Sequence, residues 1–181
     1  MVQFRFDQII NHPRQLVFET YRDRLPELVP YLPNLDRIEV VERSDPGDGS
    51  VKLKNLWCGN VKIPKAARPF VKEELMSWYD HASWNPRQYT VDWVFELRVF
   101  AEAASCSGHN SFEDLDGKRT RYLLTGELLI DLGKMPFIPR IFRPLAPRVE
   151  QWLINNVQPN LESIGAAVGQ FLDDQARPKK R

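Results

Sequence analysis

Three polar side chains stand among the tryptophans of the predicted strands. Asn55 and Asp80 occupy the alternating positions that tryptophans take in the same two strands, and Tyr122 takes such a position in a later strand. Alternate residues of a strand share one face, so these polar groups are predicted to face the interior. A buried Asp needs a partner or a raised pKa, and polar groups in an apolar pocket orient a ligand. The alternative is that Asp80 stands at a strand end and faces solvent.

Acid–base chemistry is a second use for such groups. A cyclase-type mechanism needs only a few polar side chains inside a shaped tunnel, and the candidates are Asp80, His81 and Tyr122. If the strand phase were shifted by one residue, Arg121, Glu127 or His81 would reach the interior instead.

The other reactive side chains form weaker patterns. The histidines lack metal-ligand spacing, no serine sits in a nucleophile elbow, and the sequence has no glycine-rich phosphate loop. A Cys–His pair is possible in space, Cys106 with His109 or Cys58 with His81, but it has no supporting signature. The sequence therefore assigns no catalytic residue, metal site or cofactor.

Aromatic side chains dominate the predicted interior. Each of them would bury roughly 150–250 Å². Either they line a tunnel for a ligand, or they fill the barrel and leave no cavity. The residues concerned are Trp57, Trp78, Trp84, Trp93 and Tyr122.

Composition restricts the class of protein. The chain has 181 residues, 43% apolar and 11% aromatic, which suffices for one domain with a sizeable core. Its formal net charge of +1 gives no general attraction to nucleic acid. Two cysteines predict free thiols in a reducing compartment, and no apolar run approaches the roughly 20 residues of a membrane span. A cytoplasmic protein without a nucleic-acid partner is expected, with peripheral membrane contact left open.

The elements that must position these side chains follow a simple order: one strand, two short helices, six strands and one long helix. Apolar residues recur every three or four positions over 139–172, which predicts the long helix. Regular helix should begin near Pro147 and be kinked near Pro159, because proline removes a backbone hydrogen bond. The later strands are expected over 50–60, 74–84, 89–99, 103–113 and 118–132.

This order, with two segments near the N-terminus, resembles a known superfamily. The segments are Phe-Glu-Thr-Tyr-Arg-Asp-Arg-Leu-Pro-Glu-Leu-Val-Pro-Tyr-Leu-Pro-Asn at 18–34 and Ile-Glu-Val-Val-Glu-Arg at 38–43. They resemble the START/polyketide-cyclase-like (SRPBCC) superfamily, whose helix-grip fold is shared with the birch-pollen-allergen family. The resemblance implies an α+β fold, a seven-stranded curved antiparallel sheet wrapped around the C-terminal helix, with two short helices after the first strand. It also implies a tunnel for lipids, sterols, quinones or polyketides.

Two sets of candidate residues follow for a single ligand-binding domain over 1–172, before a basic, disordered tail at 173–181. The ligand-cavity set is Asn55, Trp57, Trp78, Asp80, Trp93, Phe95, Tyr122, Leu124, Val149, Leu153 and Val157. Two loops that mix basic and apolar residues are predicted to form a gate that contacts an anionic membrane. The gate set is Lys65, Arg68, Phe70, Met135, Phe137, Ile138 and Arg140. Alternatively, these apolar residues cap the barrel end and the bases are merely solvated.

The functional hypothesis is non-covalent binding, and possible transport, of an apolar small molecule in an internal cavity. One alternative is a cyclase or dehydratase acting on a polyketide-like substrate. The other is a protein-interaction module without a ligand. The sequence does not identify the ligand or the oligomeric state.

Overall fold

Alternating polar and apolar residues build one antiparallel sheet in the computed structural model. The structure describes residues 1–60, 77–98, 104–130 and 146–177, with side chains except at 130 and over 146–158. Within these ranges the sheet has seven strands: β1 Val2–Ile10, β2 Leu35–Ser44, β3 Val51–Gly59, β4 Ser77–Asn85, β5 Thr90–Leu97, β6 Ala104–Asp114 and β7 Thr120–Ile130. Their order across the sheet is β1-β7-β6-β5-β4-β3-β2.

Two short helices link the first two strands, as expected. Helix α1 spans Arg14–Asp23 and is followed by a 3₁₀ helix over Leu25–Tyr31. Pro30 lies inside the 3₁₀ helix, where a proline prevents a longer α-helix because it lacks a backbone N–H. The expected fold class, with a curved antiparallel sheet, two short helices and a C-terminal helix, is confirmed.

The C-terminal helix α2 spans Ala146–Ala176 and packs on β1 and the 3₁₀ helix. Its buried residues Leu161, Ile164, Val168 and Phe171 lie three or four positions apart, which confirms this part of the apolar stripe. The helix runs through Pro159 and ends beyond the predicted boundary at 172, so the first residues of the predicted tail are helical. The division into domain and tail, and the kink at Pro159, stay predictions.

The strand phase is the one expected from the sequence. Asn55 lies directly opposite Asp80, and Trp57 lies opposite Trp78, so both pairs share the inner face of the sheet. The described ends of the strands that adjoin the predicted gate loops lie at one end of the sheet. Cys58 pairs with Ser77 there, and Ile130 at the end of β7 pairs with Ala104 at the start of β6. The gate residues themselves, in 61–76 and 131–145, lie outside the described residues.

A glycine in α2 sets how closely this helix packs on β1. A Cβ atom on Gly165 would collide with Gln8 Oε1 and lie 2.9 Å from Tyr122 Cδ1. Gln8 is held in place because its Nε2 donates a hydrogen bond to the Glu162 carbonyl at 2.7 Å. Gly165→Ala should therefore lower the free energy of unfolding by about 1–3 kcal/mol, the usual cost of overpacking. Urea unfolding of the variant and the wild type measures this difference.

Gly169, one helical turn later, provides the matched control. The nearest atom to a Cβ there would be Ile10 Cγ2 at 3.6 Å, an ordinary contact. Gly169→Ala should raise the free energy of unfolding by up to about 1 kcal/mol, because alanine is the better helix former. Equal effects of the two substitutions would contradict the close approach of α2 at Gly165.

Candidate functional site

A row of aromatic rings crosses β3, β4 and β5 on the inner face. Trp57 and Trp78 are stacked, with ring centroids 5.9 Å apart. Phe95 lies 5.9 Å from Trp78 and 6.3 Å from Trp57, and Trp93 lies 4.7 Å from Phe95. Trp57 and Trp93 are buried, whereas Trp78 and Phe95 are only half-buried. The row therefore reaches from the core towards the end of the sheet where β4 begins.

Asn55 and Asp80 lie within this aromatic surface. Their relative exposures are 1% and 6%, so Asp80 does not face solvent as the alternative interpretation required. Asn55 Nδ2 donates a hydrogen bond to Asp80 Oδ2 at 3.1 Å. The cross-strand register imposes this pairing, because the two residues are direct neighbours on adjacent strands.

Burial raises the pKa of Asp80 from its ordinary value of 3.8 to about 6, because the carboxylate is withdrawn from water. The Asn55 hydrogen bond opposes this rise, and so does the nearby Trp57 indole, although that indole does not reach the geometry of a hydrogen bond. His81 also opposes it weakly. Among the described residues, no cation forms an ion pair with Asp80. The carboxyl can therefore change its protonation state near neutral pH.

Several polar atoms of this region are buried without a hydrogen-bond partner. They are Asn55 Oδ1, Asp80 Oδ1 and the Nε1 atoms of Trp57, Trp78 and Trp84. An unsatisfied buried donor or acceptor costs about 1–3 kcal/mol. Such groups are normally satisfied by an ordered water molecule or by a ligand.

A small cavity lies between these groups and α2. Its volume is about 10 Å³, counted as the space that the centre of a water molecule can occupy. This is near the lower limit for one water molecule, so the rings fill most of this part of the interior. The residues around it include Trp57, Asp80, Trp84, Trp93, Phe95 and Leu161.

A second polar cluster, which the sequence did not predict, lies beside the first. Trp93 Nε1 donates to Asn110 Oδ1 at 2.9 Å, and Asn110 Nδ2 donates to the Tyr122 hydroxyl at 3.0 Å. Burial and the hydrogen bond with Tyr21 raise the pKa of Tyr122 well above its ordinary value. Tyr122 thus stays neutral at physiological pH and holds Trp93 in place through Asn110. Asn110 could have been identified by its alternation with the apolar Phe112 in β6.

The three candidate acid–base residues do not form one site. His81 follows Asp80 in β4, so its side chain lies on the outer face, where Nε2 contacts Glu96 Oε2 at 2.7 Å. Tyr122 belongs to the neutral cluster around Asn110. The expectation that His81 acts together with Asp80 and Tyr122 is therefore wrong, because the alternation of β4 separates His81 from the other two.

The residues considered for a shifted strand phase also lie on the outer face. Arg121 forms a bidentate ion pair with Asp7 at 2.6 and 2.9 Å, and Glu127 is exposed. A groove of about 870 Å³ on this face, by the same measure as the inner cavity, is wide open to solvent. His109 borders it and contacts Asp92 at 2.7 Å. The groove is shallow and lies on the opposite side of the sheet from the buried Asp80.

Neither Cys–His pair forms in the described part of the chain. Cys58 is buried and accepts a hydrogen bond from Arg37 at 3.5 Å. Cys106 is buried on the inner face, and burial raises the pKa of its thiol to about 12. Strand alternation places His109 on the outer face, away from Cys106. Cys58 lies on the same side of the sheet as His81, but it pairs with Ser77 whereas His81 pairs with Lys54, so four residues along the strands separate them. Among the described residues, no three His, Cys, Asp or Glu side chains are arranged to hold a metal ion.

The described members of the predicted cavity set all lie on the inner face: Asn55, Trp57, Trp78, Asp80, Trp93, Phe95, Tyr122 and Leu124. Their role around a ligand stays a prediction. Val149, Leu153 and Val157 belong to α2, in the stretch whose side chains are not described. None of the described helices is both long and apolar enough to cross a membrane.

Comparison with known proteins gives structural matches only. No protein-family model matches the sequence, and no curated protein matches it significantly. The Zhui aromatase/cyclase from a Streptomyces species superposes with a TM-score of 0.71 at 15% identity, over 97% of this chain and 96% of that chain. A Thermus thermophilus protein gives 0.65 at 19% identity, over 97% and 100%. A START superfamily protein from Mycobacterium smegmatis gives 0.53 at 10% identity, over 96% and 99%.

These matches extend over nearly the whole chain, at identities that carry information about fold alone. They agree with the strand order β1-β7-β6-β5-β4-β3-β2 and with the position of α2. The matched proteins include a named aromatase/cyclase as well as a START superfamily protein. The chain has the START-like helix-grip fold.

Proposed function

We propose that this protein binds an apolar small molecule non-covalently, between the inner face of its sheet and α2. The observation that carries the proposal is the buried Asn55–Asp80 pair, which leaves one oxygen on each residue without a partner inside an aromatic interior. Ligand sites combine mostly apolar walls with a few convergent polar groups in this way. The half-buried Trp78 and Phe95 extend the apolar wall towards the end of the sheet.

Neighbouring residues of β5 allow a matched test of binding. Phe95 is on the inner face, and Val94 is 50% exposed on the outer face. Phe95→Asn should weaken binding of the neutral fluorescent probe N-phenyl-1-naphthylamine about tenfold, which corresponds to about 1.4 kcal/mol. Val94→Asn should leave the affinity within about twofold, because that side chain is outside the proposed site. Fluorescence titration measures both affinities, and circular dichroism checks that both variants are folded.

Native mass spectrometry of the freshly purified protein complements the titration. A co-purifying apolar molecule supports the proposal. No uptake of the probe together with a clean apo mass would overturn it and would favour a protein-interaction module instead. The small volume of the inner cavity is the observation that favours this module.

A cyclase-type enzyme is the second candidate, favoured by the pKa of Asp80 near 6. A carboxyl with such a pKa can accept and return a proton at neutral pH. In an enzyme, Asp80→Asn would abolish turnover of a poly-β-keto substrate while its binding persists. In a carrier, the wild type would show no turnover of that substrate.

A further inference from the structure

The small cavity on the inner face is lined by three residues that each carry one buried polar atom without a partner, Asp80, Trp57 and Trp84. Trp57 lies beside Asp80, diagonally across β3 and β4, whereas Trp84 lies four residues further along β4. Asp80 Oδ1 is an acceptor, and the two indole Nε1 atoms are donors. All three side chains are more than nine-tenths buried, so bulk water does not satisfy these atoms.

The numbers of donors and acceptors select the kind of group that fits. A hydroxyl has one donor and two acceptor lone pairs, so it can donate to the Asp80 oxygen while it accepts from the Trp57 N–H. An ammonium group has only donors and would leave the Trp57 indole unsatisfied. A carbonyl has only acceptors and would leave Asp80 unsatisfied, and an anion would be repelled by the carboxylate.

Asp80 is the only charged side chain that is buried among the described residues. Asn55 and Trp57 face it from β3, Cys106 from β6 and Tyr21 from α1. Burial raises the pKa of the Cys106 thiol to about 12 and also raises that of the Tyr21 hydroxyl, so both stay neutral. His81 acts from the outer face, where it contacts Glu96.

We propose that this cavity binds the hydroxyl group of an apolar ligand, which donates a hydrogen bond to Asp80 Oδ1 and accepts one from the Trp57 indole. This inference rests on the proposed function and adds the chemical class of the ligand, an apolar alcohol or phenol. The apolar body of the ligand packs on Phe95, which lines the cavity and is half-buried, and on the adjacent Trp78.

Two probes that differ by replacement of the hydroxyl proton with a methyl group test the inference. 2-Naphthol can donate a hydrogen bond, and 2-methoxynaphthalene can only accept one. At about pH 8, where Asp80 is ionised, we expect the protein to bind 2-naphthol at least about tenfold more tightly, as a charge-assisted hydrogen bond provides. Isothermal titration calorimetry gives both affinities.

Substitution and pH assign the preference to Asp80. Asp80→Leu should bind both probes equally, and Asp80→Asn provides a second folded variant with a reduced preference. Asp92→Asn is the control, because Asp92 is exposed on the outer face. Lowering the pH to about 5 should reduce the preference, because protonated Asp80 becomes a donor that suits the ether oxygen.

The outcomes separate this inference from the proposed function. If both probes bind with equal affinity, the function stands and the inference is overturned, since the cavity then holds water only. A preference for 2-naphthol that persists in Asp80→Leu overturns it as well, because the hydroxyl is then recognised elsewhere. If neither probe binds, the proposed function and the inference both fail.

Discussion

Replacing the buried Asp80 by Asn is expected to raise the free energy of unfolding by about 3 kcal/mol at about pH 8. Burial raises the pKa of Asp80 from 3.8 to about 6, and each unit corresponds to about 1.4 kcal/mol. Above about pH 6 Asp80 is therefore ionised in the folded protein, where the charged carboxylate is less stable than in the unfolded chain. Asn removes the charge, and its amide oxygen can still accept the hydrogen bond from Asn55 Nδ2. Urea unfolding across pH measures the effect.

The pH window follows from the direction of the pKa shift of Asp80. The folded state binds this proton more tightly than the unfolded state, so its contribution to stability is full below about pH 4 and is lost as the pH rises through about 6. Other carboxyls, such as Asp23, have lowered pKa values because of their arginine partners and act in the opposite direction. The quantity to measure is therefore the difference in the free energy of unfolding between Asp80→Asn and the wild type. This difference should grow from about pH 4 to about pH 6 and then stay level.

The exposed Asp92 is the matched control for this prediction. Its side chain is 73% exposed on the outer face, so Asp92→Asn should change the free energy of unfolding by no more than about 0.5 kcal/mol. An Asp80→Asn variant that is less stable than the wild type at about pH 8 would falsify the interpretation of Asp80 as an uncompensated buried charge.

The cost of Asp80 bears on function as well as on stability. A packed apolar residue at position 80 would avoid both the charge and the unsatisfied oxygen atom. Proteins keep such costly groups mainly where the groups contact a ligand or take part in a reaction. The stability gain in Asp80→Asn and the lost preference for 2-naphthol in Asp80→Leu would thus be two consequences of the same buried carboxylate.

The inner face of the sheet could be predicted from the sequence because a strand has a strict period of two. That period correctly places Asn55, Asp80 and Trp57 together, and it brings His81 inward only if the strand phase shifts by one residue. The structure has no such shift, so His81 contacts Glu96 on the outer face and does not act beside Asp80. The order of elements also predicted the fold, since one long helix must cover the apolar face of the strands.

Other features depend on which strands become neighbours, and alternation within one strand does not reveal this. Asn110 bonds Trp93 from β5 and Tyr122 from β7, so its role arises only once β6 lies between them. The size of the inner cavity depends on how the indole rings tilt against one another. The sequence therefore left open whether the tryptophans line or fill the interior.

Two glycines that face each other across β6 and β7 allow two aromatic rings to lie flat on the sheet. Gly108 pairs with Trp93 on one side and with Gly126 on the other, and Gly126 pairs with Phe4. The rings of Trp93 and Phe4 are stacked above this pair, with centroids 6.4 Å apart. Any side chain at position 108 would occupy the space of the Trp93 ring, so glycine is required for this close approach.

Gly108→Ala is accordingly expected to lower the free energy of unfolding by about 3 kcal/mol or more. The new Cβ atom would collide with Trp93 Cζ2 and with the backbone oxygen of Thr125, and would lie 2.7 Å from Trp93 Cε2. Trp93 cannot turn away without losing its hydrogen bond to Asn110. Urea unfolding measures the loss, and Ser105→Ala, at an exposed position of the same strand, should change the stability by less than about 0.5 kcal/mol.

A double-mutant cycle with Trp93→Leu separates the contact with the ring from the contact with the backbone. If the Trp93 ring carries much of the cost, Gly108→Ala should be less destabilising in the Trp93→Leu background by at least about 1 kcal/mol. The remainder would come from the Thr125 carbonyl oxygen, which stays in place. Equal costs in the two backgrounds would contradict a rigid Trp93 ring above Gly108. Trp93 also lines the inner cavity, so displacement of its ring in Gly108→Ala should weaken the binding of N-phenyl-1-naphthylamine as well.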